Sequence, residues 1–198
     1  MRNVMLSVSC ALLFSAGPAA ALGTHEFGFE GGSSFPTGSF SDAATTGYNL
    51  GAVYQFNLAD RYGVGAEIKY NGWGASNDMN ASAEALYGAG SRYSFSAWQY
   101  DAFGVFNLPI GGPFMRPYAK AGLGAYDPTV KLKSPSGVTL DRSSDFGVMA
   151  GLGLDYTLSP KVKVGFEAAY HRIKNSPDDF FSAGVRLIWP FTVGIGGE

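Results

Sequence analysis

From residue 26 to residue 191 the chain alternates between apolar side chains and polar or glycine ones, in eight stretches separated by turn-rich connections. A period of two sorts side chains onto the two faces of an extended strand, whereas a helix repeats at about 3.6 residues. In the first stretch Phe27 and Phe29 share one face, and Glu26, Gly28 and Glu30 the other. The second sets Tyr48, Leu50, Ala52, Tyr54 and Phe56 against Asn49, Gly51, Gln55 and Asn57. In the third, Tyr62, Val64, Ala66, Ile68 and Tyr70 oppose Gly63, Gly65, Glu67 and Lys69, with both charges on the polar face. The fourth has Trp98, Tyr100, Ala102, Gly104 and Phe106 on one parity and Gln99 and Asp101 on the other, blurred by Tyr93, Phe95 and Phe103. In the fifth, Met115, Ala119, Ala121 and Leu123 alternate with Arg116, Lys120, Gly122 and Gly124, and Pro117 sits early, where a missing donor costs least. The sixth separates Phe146, Val148, Ala150, Leu152, Leu154 and Tyr156 from Asp145, Gly147, Gly151, Gly153 and Asp155. The seventh separates Val162, Val164, Phe166, Ala168 and Tyr170 from Lys163, Gly165, Glu167 and His171. In the eighth, Phe181, Ala183, Val185, Leu187, Trp189 and Phe191 face away from Ser182, Gly184 and Arg186. Each stretch is near the roughly 9–11 residues that a tilted strand needs to cross a bilayer.

Connection lengths alternate too. Short turns fall at Leu58–Arg61, Asn107–Pro113 and Leu158–Lys161, and long polar connections at Ser34–Thr45, Asn71–Ser91, Asp127–Ser144 and Arg172–Asp179. Both chain ends then lie on the short-turn side. Membrane barrels show this asymmetry, with short periplasmic turns and longer extracellular loops.

Composition sharpens the choice of environment. Charged residues make up 15% of the chain, below the roughly 25% of a soluble domain. The balance of 14 Lys and Arg against 16 Asp and Glu speaks against a nucleic-acid partner. The N-terminus has the form of a secretory signal: Arg2, an apolar run from Val4 to Phe14, and a small-residue cleavage site at Ala19-Ala20-Ala21. Residues 1–21 are therefore expected to be removed, leaving residues 22–198 as the barrel domain. The single cysteine, Cys10, lies in the leader, so the mature chain relies on its sheet rather than on disulfides. Past residue 22 nothing approaches the roughly 18 apolar residues of a spanning helix. A bilayer leaves no water for backbone groups, so a spanning chain without such a helix must be a sheet without edges.

Period alone does not say which face is inside. The polar parity is rich in Gly and Ser with a few charges of both signs, which suits a crowded interior rather than a watery exterior. Glu26, Glu30, Glu67, Asp101, Asp155 and Glu167 are expected to pair there with Lys69, Arg116, Lys120, Lys163 and Arg186, closing the lumen to ions. Eight strands enclose just enough space for side chains. Aromatic girdles are expected from Tyr54, Phe56, Tyr62, Phe106, Tyr156, Trp189 and Phe191 at the turn end, and from Tyr48, Tyr70, Trp73, Phe146 and Tyr170 at the loop end.

Two segments carry a family resemblance: Arg116-Pro117-Tyr118-Ala119-Lys120-Ala121-Gly122-Leu123-Gly124 and the closing Gly184-Val185-Arg186-Leu187-Ile188-Trp189-Pro190-Phe191. They resemble the fifth and last strands of the eight-stranded outer-membrane β-barrel family that includes the transmembrane domain of OmpA, OmpX and Opa-type proteins. The chain runs on through Thr192–Glu198 where that family stops at the terminal Phe. No peptidoglycan-binding domain is expected. The resemblance implies an all-β, eight-stranded, antiparallel, up-and-down transmembrane barrel in the outer membrane. It also implies a monomer, with outer-membrane lipids, lipopolysaccharide and the barrel-assembly machinery as partners, and no cofactor.

Chemistry has little foothold. No nucleophile elbow, phosphate loop or metal-spaced His/Cys cluster is present, and the Gly-x-Gly pairs lie inside strands. His171 and Ser176 resemble the His-Ser pair of PagL-type lipid A deacylases, but their spacing is wider than that family's His-x-Ser and sends Ser176 into a loop. His171 is expected at the barrel rim, and His25 has less claim still. The sequence thus predicts a structural or surface-interaction protein without catalytic, cofactor or metal residues, with the deacylase and a loop-mediated adhesin as alternatives.

Overall fold

A computed structural model describes residues 23–134, 138–141, 144–174, 176 and 178–192. The expected leader and its cleavage site, and tail residues 193–198, lie outside that range. The strands are β1 (Thr24–Pro36), β2 (Gly47–Asn57), β3 (Tyr62–Gly74), β4 (Arg92–Asn107), β5 (Met115–Lys133), β6 (Val138–Asp141), β7 (Asp145–Ser159), β8 (Val162–Ile173) and β9 (Phe180–Phe191). Two helices, α1 (Phe40–Ala43) and α2 (Asn77–Tyr87), interrupt the long connections.

Every pairing is antiparallel and between neighbours in sequence, apart from β5 with β7 and the seam between β1 and β9. The order β4-β3-β2-β1-β9-β8-β7-β5 is closed by β4 pairing with β5, so eight strands form a barrel. Closure removes the edges whose unpaired N–H and C=O groups a bilayer could not satisfy. Strand β6 is a short hairpin partner of β5 beyond the wall, pairing Thr129–Leu132 with Val138–Asp141. Register shows the stagger that closure requires. Gly28 faces Val53, then in turn Glu67, Asp101, Gly124, Gly147 and Ile173, a path that climbs from the middle of β1 to the last residue of β8.

Burial follows the parity that the sequence separates. Leu50 and Leu152 are each 64% exposed on the outer wall, while Glu67 is 4% and Arg186 2% exposed inside. In water such a continuous apolar wall would be an aggregation surface, whereas against acyl chains it is at home. Among the described residues no helix is long and apolar enough to cross a membrane.

Several expectations change. Trp73 sits on the inward parity and is buried, so it belongs to the lumen and not to the outer girdle. The residues that blurred the fourth stretch are accommodated inside: Phe103 is buried in a cluster with Val53, Val105 and Tyr118. The long connections are also more ordered than their composition implies. The Asp127–Ser144 segment holds the ends of β5 and the β6 hairpin, and the Asn71–Ser91 segment holds α2.

Tight interior packing relies on glycine opposite aromatics. Gly153 pairs with Tyr118 and Gly65 with Phe103, and a Cβ added at either would lie 2.1 or 2.4 Å from that ring.

Candidate functional site

The middle of the lumen is a charge cluster contributed by six strands. Lys69 on β3 lies 3.0 Å from both Glu30 of β1 and Glu67 of its own strand, and 3.8 Å from Glu167 of β8. Lys120 on β5 bridges Glu67 and Glu167, the latter at 2.9 Å. Arg186 on β9 forks onto Asp155 of β7 through Nη2 at 2.9 and 3.0 Å and reaches Glu167 through Nη1 at 3.3 Å. Aromatic faces complete the solvation of the cations: Lys120 Nζ is 4.1 Å from the Phe103 ring centre, and Arg186 lies 4.5 Å over Tyr118. Tyr118 in turn donates to Glu167 at 2.8 Å. Buried charges persist only when paired and hydrogen-bonded in this way.

Polar layers extend the cluster toward both ends. Toward the short-turn end Lys163 meets Glu26 at 2.5 Å, Asn57 donates to Glu26 at 2.9 Å, and Gln55 donates to Asn57 at 2.7 Å. On the other side a chain of donors runs from Asn49 to Ser34, from Ser34 to Asn71, and from Asn71 to Gln99. Gln99 then donates to Glu67 at 3.1 Å and Asp101 at 2.6 Å.

Two predicted members behave differently. Asp101 takes an amide partner, Gln99, rather than a cation, and Arg116 sits at the exposed turn end of β5, below the cluster. An internal cavity of about 10 Å³ beside Glu30, Lys69, Glu167 and Arg186 has room for roughly one water. Glu30, Glu67 and Glu167 bring carboxylate oxygens within 4.8 Å of one another, but the ammonium groups of Lys69 and Lys120 already bridge them.

Above the polar layers the mouth at the long-connection end is stopped by apolar side chains. Phe40 of α1 packs edge-on against Trp73 at 5.3 Å and Phe95 at 5.7 Å, over a buried set that includes Ala97, Tyr126, Ile173 and Phe180. The connections are stitched together there. Thr37 N–H donates to Asp179 O at 2.9 Å, Ser76 N–H to Ala43 O and Thr45 N–H to Gly74 O at 2.8 Å each.

His171 lies beneath this cap and is fully buried, not at the rim where the sequence placed it. Its Nδ1 is 3.0 Å from Tyr126 Oη and its Nε2 3.0 Å from Ser182 Oγ, and its ring stacks on Phe180 at 4.4 Å. Ser176 instead donates to Asp178 at 2.6 Å in the last loop. The His-Ser pair the structure brings together is thus His171 with Ser182, a pairing that cross-strand register creates and linear spacing hides. His25 closes the seam at the turn end, with Nδ1 2.6 Å from Tyr54 Oη and its ring stacked on Phe191 at 5.4 Å.

Comparison with known proteins agrees with this architecture. The family model described as outer membrane protein beta-barrel domain matches residues 6–188. Among solved structures, the Ail attachment invasion locus protein of Yersinia pestis superposes with a TM-score of 0.55 at 16% identity, covering 85% of this chain and 99% of its own. Neisserial surface protein A gives 0.59 at 12% identity, with 85% and 97% covered. The N-terminal β-barrel domain of Pseudomonas aeruginosa OprF gives 0.52 at 15% identity, with 85% and 99% covered. Among curated proteins no sequence matches the chain.

Proposed function

The chain belongs to the outer membrane protein β-barrel domain family, and on that premise we propose that it is a closed, non-conducting barrel without enzymatic activity, whose work is done by the surface it presents. The observation that carries this is the filling of the lumen: the Lys69, Lys120 and Arg186 network below, and the Phe40, Trp73 and Phe180 cap above. An ion would have to break buried charge pairs to pass. A hydrolase acting on lipid needs its nucleophile at the acyl boundary, and Ser182 with His171 faces the sealed interior instead. Export by a cleaved leader, a monomeric state, and recognition of β9 by the barrel-assembly machinery belong to the same proposal.

A surface-binding role has its own support. On α2, Leu86 is 73% and Tyr87 46% exposed, an unusual placement for large apolar residues on a solvent-facing helix. The name of the Yersinia neighbour speaks of attachment and invasion.

Planar-bilayer recordings test the main proposal. The folded chain is expected to leave the conductance of the bare bilayer unchanged, and stepwise openings would overturn the closed-lumen reading. Lipid A mass spectra from cells with and without the protein are expected to be identical, and loss of an acyl chain would restore the deacylase.

A further inference from the structure

The charges sealed in the lumen do not balance. Among the described residues six buried carboxylates, Glu26, Glu30, Glu67, Asp101, Asp155 and Glu167, stand against four buried cations, Lys69, Lys120, Lys163 and Arg186. In salt water such a shortfall is screened over a few ångströms, but behind an apolar wall and beneath an apolar cap it is not.

The shortfall has two addresses. Glu26 and Lys163 cancel each other toward the short-turn end. In the middle, Glu30, Glu67, Asp155 and Glu167 share Lys69, Lys120 and Arg186, and each of those carboxylates is within ion-pair distance of at least one of the cations. The deficit of that group is spread over neighbours and over the small cavity beside Glu30. Asp101 is the second address, and its deficit is not shared. Among the described residues it has no ion-pair partner and takes only the Gln99 amide.

The surroundings of Asp101 single it out further. The residue is 3% exposed, Oδ2 accepts from Gln99 Nε2 at 2.6 Å, and Oδ1 is buried without a hydrogen-bond partner. Its cross-strand neighbours are Glu67 on β3 and Gly124 on β5. Glu67 is a like charge, unfavourable directly opposite. Gly124 supplies room, because a Cβ there would fall on Asp101 Oδ1. The other charged or titratable groups that face Asp101 are Lys69 of β3 and Lys120 and Tyr126 of β5. Both lysines are already held by Glu67 and Glu167, and the Tyr126 hydroxyl lies 3.0 Å from His171 Nδ1.

We propose that Asp101 Oδ1 is a binding site for one small monovalent cation, a proton or a sodium ion, taken up as the barrel closes around it. A single charge is missing there and the space is what a glycine leaves, so a divalent ion with about six oxygen ligands has no seat. Gln99 holds the carboxylate in place, and Gly124 makes the room. The inference goes beyond the non-conducting reading but rests on the sealed lumen, since open water would supply the missing charge without a site.

The test uses the full chain folded in zwitterionic lipid vesicles and unfolded with urea. The wild type is compared with D101N, which keeps the shape of the side chain without its charge. In one series sodium replaces N-methylglucamine at constant ionic strength. In the other the pH is raised from about 5.5 to about 8, a range in which an aspartate of the unfolded chain is ionised. A ligand held by the folded state alone raises the folding equilibrium constant by up to about tenfold per tenfold rise in its concentration. The wild-type constant is therefore expected to rise up to about tenfold more than that of D101N per decade of sodium, or to fall up to about tenfold more per pH unit.

A response to sodium identifies the alkali ion, and a response to pH alone the proton. Equal slopes for the two chains in both series overturn the site. Should D101N not fold, D101S, smaller and equally uncharged, is compared in its place, and a wild type flat in both series overturns the site by itself. The planar-bilayer recording separates the two readings. Stepwise openings together with equal slopes remove the sealed lumen and the site with it, whereas a silent bilayer with equal slopes removes the site alone.

Discussion

Lys120 holds two glutamates from opposite walls of the lumen, Glu67 and Glu167, and its loss leaves both carboxylates short of a cation. Lys120→Met is expected to cost about 3–5 kcal/mol, the usual penalty for breaking a buried pair from one side, measured by urea unfolding in lipid vesicles. Adding Glu67→Gln is expected to return part of that loss, and strictly additive costs would show that the two groups are not coupled. Steric fit yields a second expectation. Gly153→Ala drives a methyl into the Tyr118 ring, with a cost of about 1–3 kcal/mol for overpacking by the same measurement, reduced when Tyr118 is also truncated. The inward charges were legible because they share one parity with glycine. Their partners were not, because pairing depends on height along tilted strands as well as on face. Arg116 shares the parity of Lys120 yet lies at the turn end, and Asp101 finds Gln99 on its own strand. The buried aromatic Phe103 looked like noise in the alternation, since the room for it comes from Gly65 on the neighbouring strand, as the room for Tyr118 comes from Gly153.

At the scale of elements, the eight wall strands were readable from period two, but their extensions were not, for a physical reason. Above the bilayer the outward face of β5 becomes polar at Thr129, Lys131 and Lys133, while Val130 and Leu132 turn inward. The period persists with its polarity inverted, so a pattern tuned to an oily exterior ends too early. Helix α2 had a signal of another kind. Ser76 caps it, accepting from the Met79 N–H at 3.4 Å, and Gly88 ends it at φ 96°. Short α1 had none beyond Phe40 itself, whose role depends on landing against Trp73. In a W98F/W189F background Trp73 is the single tryptophan, and iodide is expected to quench it weakly. Phe40→Ala is expected to raise that quenching severalfold, and an unchanged value would mean that α1 does not seal the mouth.

For the whole molecule, the even strand number and the alternation of short and long connections foretold closure, and the pairing of β1 with β9 supplies it. Cys10 is the chain's one cysteine, so in a Cys10→Ser background single cysteines can be placed at will in the barrel. Spin labels at Leu152→Cys and Val164→Cys are expected to collide with oxygen dissolved in the bilayer and to escape a water-soluble nickel complex. Val53→Cys, buried in the lumen, is expected to resist labelling until the protein is boiled, and ready labelling in the folded state would contradict the assignment of faces. The seam has one more consequence. His25 lies directly across from Phe191, so the head and tail of the sheet emerge side by side. A few residues of linker would join them, and fresh ends cut between Ala59 and Asp60 would yield a circular permutant in which every strand keeps both of its neighbours.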